Sequence, residues 1–207
     1  FFLVFEIFLV SFFFLFGFFG LFLVCSFPFF KKKHNFNMTT ETSKIKVGDK
    51  IPEHTFTYLK GDDMTPITTA ELFDNKKVVL FGLPGAFTPT CSAHHLPGFI
   101  QDFEKFQEFK VDTIICISVN DAFVMKSWAA QQKAGDKVLL LPDGDASFTK
   151  KMGLEMDTAG FGGVRCQRFL SHVDNGKLTH FAIEEPKKFE VSSSESSLAF
   201  LGKDAKL

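Results

Sequence analysis

The sequence has no excess of charge of either sign. Across 207 residues, 23 Lys and Arg stand against 24 Asp and Glu, a formal net charge of −1. Charge therefore recruits neither nucleic acid nor an anionic membrane surface. Tyr and Trp are almost missing, at one residue each, whereas Phe occurs 30 times. Cysteine is scarce as well: Cys25, Cys91, Cys116 and Cys166 include no CxxC pair. That spacing excludes the disulfide framework of a small secreted domain. It suits a reducing compartment, or one special thiol among inert ones. No internal repeat is present. Nor are metal ligands at useful spacings, because Cys91-x-x-His94-His95 stands without the further donors a zinc site needs. No metal and no other cofactor is expected.

The phenylalanines are unevenly spread, with 15 of them in residues 1–37. Residues 1–30, FFLVFEIFLVSFFFLFGFFGLFLVCSFPFF, carry Glu6 as their single charge, and Lys31-Lys32-Lys33 follow. About 20 apolar residues cross a bilayer. Three readings stand: a cleaved leader, an anchor, and translated sequence that the working protein never carries. The leader would be cut near Val24-Cys25-Ser26, although it lacks a basic n-region. In an anchor the lysines would hold the body on the cytoplasmic side. The third reading rests on Met38, which opens the folded-looking part. The expected organisation is a hydrophobic leader at 1–37 and one domain at 38–207. A leader implies delivery to an organelle, plastid or mitochondrion; a start at Met38 implies the cytoplasm.

The body reads as α/β. An extended segment, HTFTYL, precedes a loop at Gly61-Asp62-Asp63 and a short helix at Thr69–Phe73. Lys77 to Leu83 and Thr113 to Val119 are continuous β-branched and apolar runs, the signature of strands buried on both faces. Phe99, Phe103 and Phe106 recur at helical spacing after Cys91, with Pro97 breaking or restarting that helix. Asn120-Asp121 are good caps for a helix through NDAFVMKSWAAQQKA. Val138 to Leu141 makes another strand, and ASFTKKMG a short helix ending at Gly153. Arg165 to Val173 and Leu178 to Ile183 flank Asp174-Asn175-Gly176-Lys177, a hairpin signal. SSSESSLAFLGK closes as a serine-capped helix. Alternating strands and helices followed by a hairpin imply a mixed central sheet flanked by helices.

Between the first buried strand and the next helix lies PGAFTPTC, Pro84 to Cys91. A thiol does redox or nucleophilic work as the thiolate, and a helix N-terminus or a nearby cation favours that form. Cys91 opens a helix directly after a strand, at the crevice where open α/β sheets bind ligands. Pro84 and Pro89 stiffen the approach, and Thr88 can turn its hydroxyl toward the same spot. The alternative is that Cys91 is only a small buried hydrophobe.

PGAFTPTC fits the pattern PxxxTxxC through Pro84, Thr88 and Cys91. Together with VLFGLPGAFTPTCSAHHLPGF, the later ISVNDAFVMKSWA and the opening KVGDKIP, the chain resembles the peroxiredoxins over nearly all of 45–201. The subfamily it resembles is type five (atypical, plant type-two-like). The resemblance implies a thioredoxin-like α/β fold and a thiol peroxidase acting on hydrogen peroxide and small alkyl hydroperoxides. It makes Cys91 the nucleophile that becomes a sulfenic acid, and Thr88 a hydrogen-bonding partner of thiolate and peroxide. Arg168, just before Phe169, would be the catalytic arginine, with Arg165 as its competitor. Pro84, Gly85 and Thr90 would complete the substrate loop. His95 would pack or support the site, and Phe87 would belong to a homodimer face.

Where relatives keep a resolving cysteine near the C-terminus, this chain has KKFEVSSSESS. That departure implies a one-cysteine cycle recycled by glutathione, glutaredoxin or thioredoxin. Cys116, 25 residues after Cys91 and within the strand TIICISV, is either inert core or a resolving thiol. Cys166, two residues from Arg168 on the same strand, should share its face. A rival function uses Cys91 as a non-catalytic redox sensor or interaction module. A membrane-tethered structural protein would leave PGAFTPTC unexplained.

Overall fold

Residues 43–204 are described by the structure, a computed structural model. They fall within one unit, Thr40–Leu207. The segment 1–37, with its leader, anchor and Met38-start readings, lies outside the described residues. In chain order the elements are β1 (Thr55–Lys60), β2 (Asp63–Thr68), α1 (Thr69–Phe73) and β3 (Lys77–Leu83). A π-helical turn (Cys91–His95) runs into α2 (Leu96–Gln101), then α3 (Phe103–Glu108) and β4 (Thr113–Ser118). Next come α4 (Ala122–Gln132), β5 (Leu139–Pro142), α5 (Ser147–Lys151) and β6 (Glu155–Asp157). The chain continues through β7 (Val164–Cys166), β8 (Phe169–Asp174), β9 (Lys177–Ile183) and α6 (Ser194–Asp204).

Five strands form the central sheet in the order β5-β4-β3-β8-β9. β3, β4 and β5 are parallel, and β8 and β9 are antiparallel additions. The sheet is therefore mixed, with the expected α/β, thioredoxin-like arrangement. Its middle strands read as unbroken apolar runs because both faces are covered. On one face Val79, Phe81, Leu83, Ile114 and Cys116 pack with Phe99, Phe106, Trp128 and Leu201 from the helices. On the other, Val78, Leu80, Ile115 and Ile117 pack with Phe56, Phe73 and Phe148. Cys91 lies in the first of these two cores.

Three features differ from the expectation. β2 was not legible, because DMTPIT carries Asp63 and Pro66; Pro is tolerated there because the hairpin is a separate two-stranded sheet. The Cys91 helix carries a π-helical turn near its start, just after Pro89-Thr90, with Leu96 N–H donating to Cys91 O. Pro97 sits in the first turn of α2 and has no N–H to give to the preceding turn. Third, the expected strand Arg165 to Val173 is broken at Gln167-Arg168. β7 pairs with β6, whereas β8 enters the central sheet between β3 and β9. This break overturns the shared face of Cys166 and Arg168. Cys166 packs in the core opposite Cys91, beside Phe169 and over Gly82. A Cβ on Gly82 would meet Phe169 Cε1 at 2.2 Å and Cys166 Sγ at 3.0 Å, so only glycine lets that ring lie on β3.

Candidate active site

Cys91 is fully buried and is the first residue of the π-helical turn, directly beyond the loop that leaves β3. The loop is fixed from behind. Ala86 N–H donates to Asn120 Oδ1 at 3.0 Å, and Ser118 Oγ donates to the same oxygen at 2.7 Å. Asn120, expected as a helix cap, plays another part. Asp121 does the capping, accepting from Val124 N–H at 2.9 Å, while Asn120 ties the loop to the end of β4. Within the loop Phe87 holds φ +62°, a left-handed conformation that a bulky residue keeps only when its surroundings demand it.

Arg168 reaches the sulfur. Its Nη2 donates to Cys91 Sγ at 3.4 Å and its Nη1 to His95 Nδ1 at 2.8 Å. The ring of Phe189 lies 5.6 Å from the guanidinium carbon. Among the described residues no carboxylate forms an ion pair with this guanidinium. Its charge is therefore directed at the sulfur rather than neutralised. The competitor, Arg165, is engaged elsewhere. It donates to Gly162 O at 3.0 Å and Val119 O at 3.1 Å, and so braces the loops around Gly85.

His95 supports the site. It is fully buried, and its Nε2 is 2.9 Å from Ser192 O. A guanidinium only donates and a carbonyl only accepts, so the proton sits on Nε2 and Nδ1 is the bare acceptor facing Arg168. Burial, reinforced by Arg168 and partly opposed by Ser192 O, lowers the His95 pKa to about 3. The neutral tautomer is thus locked. His172, which bonds Ser197 Oγ at 2.8 Å, is likewise lowered to about 3 by burial, then by His180 and Lys77.

These two histidines set a pH dependence of stability. Above the ordinary value of 6.5 neither folded nor unfolded chain protonates them. As pH falls below 6.5 the unfolded chain takes up protons that the folded chain refuses until about 3. Each costs up to about 1.4 kcal/mol per pH unit, so unfolding free energy should drop by about 3 kcal/mol between pH 6.5 and 5. Urea midpoints across that range check this; a constant midpoint contradicts the buried, neutral assignment.

The other predicted residues sit around the sulfur with more varied roles. Thr88 is half-buried, and its hydroxyl proton goes to Gly85 O at 2.8 Å rather than to Cys91. Its oxygen is left as an acceptor. Gly85 is buried in a tight place, since a Cβ would lie 3.2 Å from Thr88 Cγ2 and that methyl would have to give way slightly. Pro84 and Thr90 are half-buried at the two ends of the loop. Cys116 is fully buried in mid-β4, opposite Phe81 and Leu140, within the core that holds Cys91. Burial, and then the neighbouring thiols Cys91 and Cys166, push its pKa well above the usual thiol value, against the pull of Arg168. Burial pushes Cys166 up to about 12.

Residues 46–198 match the family described as Redoxin. Peroxiredoxin-2E, chloroplastic, of Arabidopsis thaliana is 42% identical over 173 residues, which cover 81% of this chain and 74% of the relative. A peroxiredoxin of Synechocystis is 50% identical over 142 residues, covering 65% of this chain and 75% of that one. Among solved structures, reduced Prx3 from Vibrio vulnificus in complex with H2O2 is 52% identical. It aligns with a TM-score of 0.74 over 76% of this chain and 99% of that chain. Sharing this much sequence with them on a common fold, the chain belongs to the peroxiredoxins, thiol peroxidases of thioredoxin-like architecture.

Proposed function

We propose that the chain reduces hydrogen peroxide and small alkyl hydroperoxides through a sulfenic acid on Cys91. The observation that carries this reading is the Nη2 donation to Sγ at 3.4 Å from a guanidinium that has no carboxylate partner among the described residues. Such a donor can orient the sulfur and stabilise charge that develops on the reacting atoms. The thiolate attacks the distal peroxide oxygen; an S–O bond forms as the O–O bond breaks, and sulfur gives up two electrons. The leaving oxygen departs as water or an alcohol after taking a proton, and the peroxide's terminal proton completes the sulfenic acid. Arg168 stabilises charge that develops on the oxygens. Thr88 Oγ1, its own proton given to Gly85, accepts from the peroxide's O–H and so selects a protonated hydroperoxide.

The structure supports a one-cysteine cycle of the type-five, plant type-two-like kind. Cys116 is held as a thiol in mid-strand, fully buried in the core, which favours an inert rather than a resolving part for it. An external thiol (glutathione, glutaredoxin or thioredoxin) then returns the sulfenic acid to thiol, two reducing thiols leaving as a disulfide plus water. Burial of Cys91 keeps a protein reductant out until the first helical turn loosens. Phe87, 50% exposed within the loop, gives a homodimer an apolar contact. A leader at 1–37 delivering the domain 38–207 to an organelle agrees with the chloroplastic names of relatives in Arabidopsis and rice.

The same full burial favours a second reading, a slow redox sensor, because it restricts access to the sulfur. Peroxide titration followed through Trp128 tests both. Trp128 is the only tryptophan, and its Nε1 donates to Ser92 Oγ at 3.0 Å, next to Cys91. One equivalent of hydrogen peroxide should change its emission completely, and the speed of that change separates the two readings.

A further inference from the structure

Arg168 can polarise the sulfur only if something holds its fork in place, and the holding groups lie beyond His95. Ser192 O, which orients the imidazole, belongs to a segment between β9 and α6 that has no sheet or helix pairing of its own. That segment is pinned by one carboxylate oxygen. Glu184 Oε1 accepts from the backbone N–H groups of Glu190 at 2.8 Å, Val191 at 2.7 Å and Ser192 at 2.8 Å. It also accepts from Ser192 Oγ at 2.9 Å. Glu184 is 9% exposed and one residue beyond β9, and its own N–H donates to Arg168 O at 2.9 Å. The residue thus grips the backbone of Arg168 directly and its guanidinium through two relays.

We propose that Glu184 is a positioning residue for Cys91 oxidation, holding Arg168 on the sulfur through Ser192 and His95. The inference rests on the peroxidase reading and adds to it a residue far in sequence from the cysteine. Burial opposes ionisation of Glu184, but the donations from Ser192, Val191 and Glu190 outweigh it and lower the carboxyl's pKa, so it stands as a charged acceptor at neutral pH. A carboxylate suits that place because four donors converge on a single oxygen, and donations to a charged acceptor are stronger than those to a neutral amide. Phe189, packed at 5.0 Å against His95 and under the guanidinium, belongs to the same pinned segment. Releasing the segment would free imidazole, ring and guanidinium together.

The test is a double-mutant cycle on the rate of Cys91 oxidation by hydrogen peroxide. Glu184→Ala should slow it about tenfold, the scale expected when a supporting hydrogen-bond partner is lost. Glu184→Gln, which keeps an acceptor of the same size, should fall between the two and carries the cycle if the alanine variant does not fold. In an Arg168→Ala background neither change should slow oxidation further, because Glu184 acts only through that guanidinium. A merely structural Glu184 would lower the urea midpoint equally in both backgrounds without this rate coupling. Wild-type rates in the Glu184 variants, or an undiminished loss without Arg168, would overturn the proposal. A wild type no faster than free cysteine would overturn the peroxidase reading beneath it, and would be seen before any variant is compared.

Discussion

Cys91→Ser should abolish hydroperoxide consumption, a loss on the order of 10⁴-fold or more, as expected when a nucleophile is removed. The replacement changes one atom in a fully buried site, so packing in its core is nearly preserved. A serine hydroxyl is not ionised at neutral pH, even beside a guanidinium, and cannot take an oxygen from a peroxide. Its hydroxyl can still accept from Arg168 Nη2, which occupies the sulfur's neighbourhood at 3.4 Å. Stability should therefore change by no more than about 1–2 kcal/mol. Peroxide consumption and urea unfolding on the same preparation check both halves. Turnover retained by a folded serine variant would exclude Cys91 as the reacting group and would return attention to Cys116 and Cys166.

Arg168→Ala should slow oxidation by about 10²–10³-fold, the cost of removing one preorganised donor at a site of developing charge. Two bonds disappear together, one to the sulfur and one to His95. The second leaves the buried Nδ1 of His95 without its partner, which should cost about 1–3 kcal/mol of stability. Arg168→Lys should recover only part of the rate. An ammonium is a point charge and cannot span imidazole and sulfur with a planar fork. Stopped-flow oxidation of the two variants checks the ordering. A rate within threefold of wild type in the alanine variant would mean that the guanidinium points at Cys91 without acting on it.

Much of this site was legible from residue order, for reasons that are local. β3 and β4 announce themselves because strands buried on both faces leave long unbroken apolar runs, as in VVLFGL and IICI. The β8–β9 turn was readable because Asn175 and Gly176 tolerate the positive φ values, 47° and 74°, that a two-residue hairpin requires. Cys91 stood out because a strand, a Pro-Gly turn and a helix start meet there.

What escaped is what depends on distant partners. The break between Cys166 and Arg168 arises because β7 finds β6 while β8 finds β3, a choice of pairing that the run VRCQRFL does not encode. The Thr88 proton goes to a backbone carbonyl within its own loop, a bond set by the fold of PGAFT rather than by its composition. His95 was visible as a neighbour of Cys91, but its tautomer depends on Ser192 and Arg168, both remote in sequence. Glu184 carried no local signal, since a glutamate after a strand usually faces solvent; its meaning appears only once the segment through Ser192 folds back onto it.

The central claim is that the surroundings of Cys91 make it a fast nucleophile toward peroxide, and the second-order rate of its oxidation tests that most directly. Mixing reduced protein with excess hydrogen peroxide and following Trp128 emission reports the sulfur through Ser92. The predicted rate is at least about 10³-fold above that of free cysteine at the same pH, and it disappears in Cys91→Ser. A wild-type rate equal to that of free cysteine would contradict the account, and would leave Cys91 a slow redox switch on a peroxiredoxin scaffold.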